Sequence, residues 1–247
     1  MIVPNPRVSD SERRTGILYG VGVGPGDPDL LTIKAVNILK KVGIIAIPKS
    51  GEEAGSKALS IVGKAVDLKG KDIVELVLPM TKDKDVLLKA RRDAALLLAE
   101  KLENGFDVAC ITIGDPLFYS TFSYLIPLVR EKLPETPIDI ISGVSSVMAC
   151  AAVTVTPLAE ADERLAVIPA TYELEKLRNI LRDFDTVVLM KVNKTMDKVL
   201  AVLEELDLKD NAAFVSRAGW PEEEVVMDLD SLRDKALDYF SMVIVKK

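Results

Sequence analysis

The sequence of 247 residues predicts an α/β fold in two domains. The first indication is the stretch Gly16 to Pro48, where an apolar run with glycines leads through a glycine-proline turn and an amphipathic segment to a second apolar run. That order is typical of one βαβ unit. The second indication is that this alternation continues and is broken once, at the proline-containing and then acidic segment 154–162. We therefore expect a lead-in at 1–15, an N-terminal α/β domain at 16–156 and a C-terminal α/β domain at 157–247.

The individual elements follow from apolar runs, which predict strands, and from apolar residues three or four apart, which predict helices. The expected strands are 17–23, 44–47, 73–78, 108–113 and 138–141 in the first domain, then 165–168, 186–190, 212–215, 224–227 and 242–245 in the second. The expected helices are 30–39, 56–66, 83–102, one capped by Ser120 or Thr121, one of small residues ending at 152, then 173–181, 195–206 and 231–239.

Three loops of small residues each follow a predicted strand. They are Gly24-Pro25-Gly26-Asp27-Pro28, Gly114-Asp115-Pro116 and Gly143-Val144-Ser145-Ser146. Glycine lets a backbone approach a ligand closely, and open α/β sheets bind ligands at the carboxyl ends of their strands. Each loop alone is equally explained by a turn or a helix cap. Together the loops can converge on one crevice.

Two common nucleotide-binding motifs do not fit the first loop. The dinucleotide fingerprint G-x-G-x-x-G requires glycine where Pro25 or Asp27 stands, and the acidic residue expected about twenty positions later is missing. A Walker phosphate loop, G-x-x-x-x-G-K-[ST], does not occur. The first loop is therefore either a glycine-rich βα turn without a ligand or a site for a ligand that uses neither motif.

Composition excludes several classes of function. The net charge of −6 argues against non-specific binding of nucleic acid. No apolar run is long enough for a membrane span, and residues 1–15 lack the apolar core of a signal peptide, so we expect a cytoplasmic protein. Two cysteines are too few for a disulfide framework or a cysteine-rich metal site. The absence of histidine excludes Ser-His-Asp and Cys-His nucleophiles and His-ligated metals, and we expect no metal site.

The ordered motifs GVGPGDPDLLT, GDP at 114–116, GVSS at 143–146 and Pro157-Leu158 resemble those of the tetrapyrrole methylase family. The resemblance covers nearly the whole chain. It implies two α/β domains with S-adenosylmethionine in the cleft between them, a small-molecule tetrapyrrole substrate, and a homodimer. The segment GDPLFYSTFSYL is similar to the branch that methylates the C-20 meso carbon of precorrin-2 or cobalt-factor II in cobalamin biosynthesis.

The same resemblance implies a set of site residues. Asp115 would orient the substrate or accept the departing proton, although its place before Pro116 is equally explained by turn structure. Arg13, Arg14, Lys49, Lys57 and Arg217 are candidates for binding substrate carboxylates, or simply part of a solvated surface. The residues implied to hold the cofactor or border its trough are Pro25, Ile113, Gly114, Asp115, Pro116, Thr121, Ser145, Ser146, Ala170 and Val192.

Three other functions stay open at this point. One is a sibling specificity within the family, at C-11 or C-17. Another is a methyltransferase similar to diphthine synthase, which acts on a modified histidine of a translation factor. The third, from a different class, is a non-catalytic tetrapyrrole or nucleotide carrier.

Overall fold

The structure is a computed structural model that describes residues 15–51, 55–170 and 173–247. It divides after Ser145 into two compact units. The expected lead-in, apart from Thr15, lies outside the described residues. The division falls before helix 146–153 rather than after residue 156, because the buried side chains Val147, Ala149 and Cys150 of that helix pack in a core with strands of the second unit.

The first unit contains a five-stranded sheet in which every neighbouring pair is parallel. Its strands stand in the order β3-β2-β4-β1-β5. The strands are β1 (Leu18–Gly22), β2 (Ile44–Lys49), β3 (Asp72–Val77), β4 (Val108–Thr112) and β5 (Ile138–Ile141). The helices are α1 (Ile33–Lys41), α2 (Lys57–Ala65), α3 (Lys84–Glu103) and α4 (Phe122–Lys132), with a 3-10 turn at Pro28–Leu30 before α1.

The strand order makes β1 and β4 neighbours whose connections leave in opposite directions. The β1 connection passes beyond β4 to β2, and the β4 connection passes beyond β1 to β5. Right-handed crossovers therefore place α1 and α4 on opposite faces of the sheet. Helices α3 and α4 share a face, since both pack in one core with β1, β2, β3 and β4. The point between β1 and β4 is where such sheets open a crevice for ligands.

The second unit begins with α5 (Ser146–Val153) and contains a mixed five-stranded sheet in the order β6-β7-β10-β8-β9. The pair β6 and β7 is parallel, and the other three pairs are antiparallel. The strands are β6 (Leu165–Pro169), β7 (Thr186–Met190), β8 (Ala212–Ser216), β9 (Glu224–Val226) and β10 (Ser241–Lys246). The helices are α6 (Leu174–Asp183) and α7 (Met196–Glu205), and further 3-10 turns stand at Val192–Lys194, Lys209–Asn211 and Leu229–Leu232.

The strands predicted from the sequence are confirmed within a few residues at each end, and one predicted helix is wrong. In place of a helix over 231–239, the chain makes the short turn Leu229–Leu232 and then runs irregularly into β10. Asp234 has a φ of 57°, which a helix does not allow. Asp238 accepts hydrogen bonds from the Arg217 guanidinium at 2.8 and 2.9 Å and from the Phe240 backbone N–H at 2.8 Å. These bonds hold the segment extended against β8, so local helical spacing does not decide its conformation.

Candidate functional site

The three predicted small-residue loops meet at the carboxyl ends of β4, β1 and β5, which lie side by side. Three glycines bring their backbones into direct contact. A Cβ on Gly143 would lie 2.1 Å from the Gly114 carbonyl oxygen, and a Cβ on Gly22 would lie 2.5 Å from that same atom. No side chain fits at these distances. The convergence expected from the sequence is therefore confirmed within the first unit, and its wall is bare backbone.

Backbone hydrogen bonds join the first two of these loops. The Val23 N–H donates to the Thr112 carbonyl at 2.9 Å, and the Gly114 N–H donates to the Gly24 carbonyl at 2.8 Å. Gly24 and Gly114 have φ values of 76° and 72°, in the region that glycine adopts at little cost. Gly24 and Gly114 thus form an isolated antiparallel bridge just beyond the parallel strands β1 and β4.

Asp115 ties the β4 loop to the β5 loop. Its Oδ1 accepts the Leu117 N–H at 2.9 Å, and its Oδ2 accepts the Gly143 N–H at 3.1 Å. The first bond closes an Asx turn, as the position of Asp115 directly before Pro116 predicts. The second could not be read from the sequence, because Gly143 lies 28 residues further along the chain. Each carboxylate oxygen keeps acceptor capacity, so the geometry allows an orienting role as well as this structural one.

The start of α4 is fixed by Ser120 and Gly20. The Ser120 Oγ accepts the Phe122 N–H at 3.2 Å and hydrogen-bonds the Thr112 Oγ1 at 3.1 Å. Ser120 therefore provides the cap that the sequence assigned to Ser120 or Thr121, and within the described chain the Thr121 side chain makes no capping bond. The fully buried Phe122 ring occupies the space over Gly20, where a Cβ would lie 2.3 Å from it.

An exposed apolar tip lies between Asp115 and α4, and none of its residues is among the site residues expected from the sequence. Leu117, Phe118 and Tyr119 are 55%, 39% and 50% exposed. The Phe118 and Tyr119 rings meet edge to face at 5.0 Å. Tyr119 has a φ of 51°, an uncommon conformation for a bulky residue that is often found at functional sites. The feature of the sequence that could have indicated this tip is the pair of aromatic residues, Phe118 and Tyr119, soon after Gly114-Asp115-Pro116.

The implied cofactor residues divide into two groups. In the first unit they lie at the ends of β1, β4 and β5, and the Ser145 Cα lies 3.9 Å from the position of a Cβ on Gly114. Pro25, Gly114 and Pro116 are buried, whereas Ser145 is half-buried. The full first group is Pro25, Ile113, Gly114, Asp115, Pro116, Thr121 and Ser145, and Ser146 follows as the first residue of α5.

Ala170 and Val192 lie in the second unit, just beyond the neighbouring parallel strands β6 and β7. The Ala170 N–H donates to the Met190 carbonyl at 2.7 Å. Val192 is fully buried in the core of the second unit. Between β7 and Val192, Lys191 has a left-handed φ of 59°.

Two of the five cations proposed for substrate carboxylates, Lys49 and Arg217, are paired with the protein's own acids. The Lys49 ammonium lies 3.0 Å from the Glu75 carboxylate. The Arg217 guanidinium lies 2.8 Å from Asp238 and 3.5 Å from Glu222, and hydrogen bonding to Asp238 raises its pKa. Arg13 and Arg14 lie outside the described residues. Lys57 begins α2.

The described ranges contain no group of three or more His, Cys, Asp or Glu residues that could hold a metal ion. Among the helices of these ranges, none has the length and apolar character needed to cross a membrane.

A parallel sheet whose adjacent strand ends meet through glycine backbone places this chain among the open α/β folds, in which small molecules bind at the carboxyl edge of the strands. The chain belongs to the tetrapyrrole (corrin/porphyrin) methylase family, whose sequence profile matches residues 17–233.

Several known proteins support this assignment. The probable cobalt-precorrin-2 C(20)-methyltransferase of Methanocaldococcus jannaschii is 42% identical, over 93% of this chain and 96% of that protein. The cobalt-precorrin-2 C(20)-methyltransferase of Salmonella typhimurium is 34% identical, over 94% and 97%. The precorrin-4 C(11)-methyltransferase of Pseudomonas aeruginosa is 28% identical, over 85% and 79%.

Solved structures confirm the fold. The uroporphyrin-III C-methyltransferase of Thermus thermophilus, crystallised with S-adenosylhomocysteine, matches with a TM-score of 0.66 at 21% identity, covering 94% of this chain and 98% of that one. The expected tetrapyrrole methylase fold of two α/β domains is therefore correct.

Proposed function

We propose that this protein is an S-adenosylmethionine-dependent methyltransferase acting on the C-20 meso carbon of precorrin-2 or cobalt-factor II in cobalamin biosynthesis. The observation that carries the proposal is the glycine contact of Gly22, Gly114 and Gly143 in a chain of this family. The ring position is supported by relatives named for C-20 that are 42% and 34% identical, against 28% for a relative named for C-11.

The residues at the strand ends fit a cofactor that binds through its polar groups and needs close backbone approach. Backbone groups at Ile113, Gly114 and Asp115 and the hydroxyls of Thr121 and Ser145 would hold it, with Pro25 bordering the substrate side. Ser146, Ala170 and Val192 remain candidates for further contacts. When bound, S-adenosylmethionine supplies a methyl group that its sulfonium has already activated.

The task left to the protein is alignment. A meso carbon of a reduced tetrapyrrole is enamine-like and nucleophilic, so no histidine is needed to activate it. Holding sulfur, methyl group and carbon in line lowers the activation barrier by up to about 7–11 kcal/mol when orientation is ideal. Asp115, fixed by two backbone donors, orients the substrate; water can remove the meso proton after the new bond forms.

Two measurements test the proposal. Calorimetry should detect binding of S-adenosylmethionine and of S-adenosylhomocysteine, and no binding of NAD or ATP. Methyl transfer should then be assayed with precorrin-2 and cobalt-factor II side by side, which also decides whether the substrate carries cobalt. Cofactor binding without turnover on either compound would favour the carrier function, and turnover only on a later intermediate would favour C-11 or C-17.

The proposal includes a homodimer in the cytoplasm. Two-fold dimers are the commonest assembly of proteins of this kind. Light scattering should give about twice the chain mass of 26.9 kDa. A mass near that of one chain across a wide range of concentration would rule the dimer out.

A further inference from the structure

Arg91 and Tyr124 form a stacked pair on the outer side of the first unit. The Arg91 guanidinium carbon lies 3.8 Å above the centre of the Tyr124 ring, well within cation-π range. Arg91 is the eighth residue of α3, and Tyr124 is the third residue of α4. The ring contact leaves the guanidinium N–H groups as donors for another acceptor.

Arg91 has no carboxylate partner within the described residues, although most arginines of the second unit have one. Arg164, Arg178, Arg217 and Arg233 each pair with an aspartate or glutamate. A guanidinium presents a rigid set of five N–H donors suited to a planar anion. A half-buried arginine that lies over a ring and has no internal acid among the described residues keeps its donors for an external one.

The position of the pair connects it with the candidate site. Tyr124 stands in the first turn of α4, which directly follows the loop from Asp115 to Thr121. Helix α3 begins seven residues before Arg91, and none of its residues before Ala94 is buried. Its first turns therefore extend past the core on the side where β4 ends. The exposed Phe118 and Tyr119 rings belong to the same loop.

We propose that Arg91, held by Tyr124, binds a peripheral carboxylate of the tetrapyrrole substrate. The inference rests on the proposed function and names a substrate-binding residue for it. A macrocycle with carboxylates around its rim is suited to apolar surface together with a cation, and this edge offers the exposed rings of the loop that leads into α4 and, on Tyr124 of α4, the Arg91 guanidinium. An arginine can make two parallel hydrogen bonds to one carboxylate, which sets the orientation of the ring as well as its affinity. Arg91 is a positioning residue and takes no part in moving the methyl group.

The test compares Arg91→Met with Arg92→Met, a neighbouring exposed arginine that serves as the matched control. Arg91→Met should raise the KM for the tetrapyrrole about tenfold or more, the effect of losing hydrogen bonds to a charged group. The Kd for S-adenosylhomocysteine and the melting temperature should stay at wild-type values. Arg91→Lys should recover part of the loss, because an ammonium keeps the charge without the paired geometry.

The KM of Tyr124 variants distinguishes a role of the ring through Arg91 from a role in stability alone. Tyr124→Ala removes the ring and should raise the KM, whereas Tyr124→Phe keeps the ring under Arg91 and should raise the KM less. In the Arg91→Met background, Tyr124→Ala should add little, because the ring acts through the guanidinium.

Unchanged KM in Arg91→Met, or an equal loss in Arg92→Met, would overturn the inference. If wild type binds S-adenosylhomocysteine but methylates neither tetrapyrrole, the proposed function fails, and absorbance titration with cobalt-factor II then decides about Arg91 separately. Weaker binding of that compound by Arg91→Met would still support the site. Equal binding by the variant, or no binding by wild type, would refute it.

Discussion

The Asp115 carboxylate accepts the Leu117 N–H at 2.9 Å and the Gly143 N–H at 3.1 Å, so one side chain holds two of the three converging loops. A carboxylate that must also accept a substrate proton would have to do so without releasing these donors. A carboxylate that only orients the substrate can keep both donors throughout the reaction. The geometry therefore favours the milder role for Asp115, in which its loss loosens the site and leaves the chemical step largely intact.

We expect Asp115→Asn to weaken cofactor binding and to lower turnover at saturating ligands by less than about 10²-fold. Asparagine keeps one acceptor oxygen for Leu117, but its amide nitrogen cannot accept the Gly143 N–H, and one unmet backbone donor costs about 1–3 kcal/mol. Asp27→Asn is the matched control, since the Asp27 carboxylate accepts only the local Asp29 N–H at 2.9 Å among the hydrogen bonds described.

Single-turnover methyl transfer at saturating cofactor and substrate decides the matter. A loss of roughly 10²–10⁴-fold with unchanged cofactor affinity is the range of general base catalysis, and it would assign the proton transfer to Asp115.

At the level of elements, the sequence is a good guide wherever one local pattern decides. Strand β4 is buried along almost its whole length and was readable as an apolar run. The helix predicted over 231–239 is wrong because hydrogen bonds from Arg217, 21 residues away, set the conformation around Asp238. Helix α5 could be read as a helix, but its side chains are apolar on every side, so the pattern could not say which core it joins.

In the site, too, local patterns predict the individual loops but not the contacts between them. Small residues after β1, β4 and β5 predicted three ligand-binding loops, whereas their contact depends on the strand order β4-β1-β5, which no local pattern contains. The pair Arg91 and Tyr124 was missed for this reason, since its members lie on different helices.

Gly143→Ala tests the contact between strand ends. The new Cβ would lie 2.1 Å from the Gly114 carbonyl oxygen and 2.8 Å from Gly22 backbone atoms, so the β5 loop must move away. Overpacking of this kind costs typically about 1–3 kcal/mol, and against backbone we expect at least that loss in the free energy of unfolding. Binding of S-adenosylhomocysteine should fall with it.

Gly43→Ala is the control, because nothing lies within 4 Å of a Cβ at that position. Denaturant melts and calorimetry on both variants make the comparison. If Gly143→Ala melts and binds like Gly43→Ala, the three loops are not in backbone contact in solution.

For the whole molecule, each compact unit encloses one thiol. Burial raises the pKa of Cys110 in β4 to about 12. Burial, and next the charge of Glu223, raises the pKa of Cys150 in α5 to about 12. The thiolate is the reactive form of cysteine, so both side chains are inert while their units stay folded.

The raised pKa values also fix the sign of an alkaline effect. Below pH 9 both thiols are protonated in the folded and unfolded chains, and they do not affect the balance. Between about 9 and about 12 only the unfolded chain releases these protons, so the free energy of unfolding falls as pH rises through that window.

We expect iodoacetamide to leave both cysteines unmodified in the native protein at pH 8, and to label each one as its own unit unfolds in increasing guanidinium. Peptide mass spectrometry distinguishes Cys110, which reports the first unit, from Cys150, which reports the second. Fully denatured protein at the same pH supplies the control for intrinsic reactivity. Because folding protects the thiols, raising the pH from 8 to 10 should speed labelling of the denatured chain far more than that of the native one. Rapid native labelling of either residue at pH 8 would mean that the core around it opens readily, contrary to its burial in the structure.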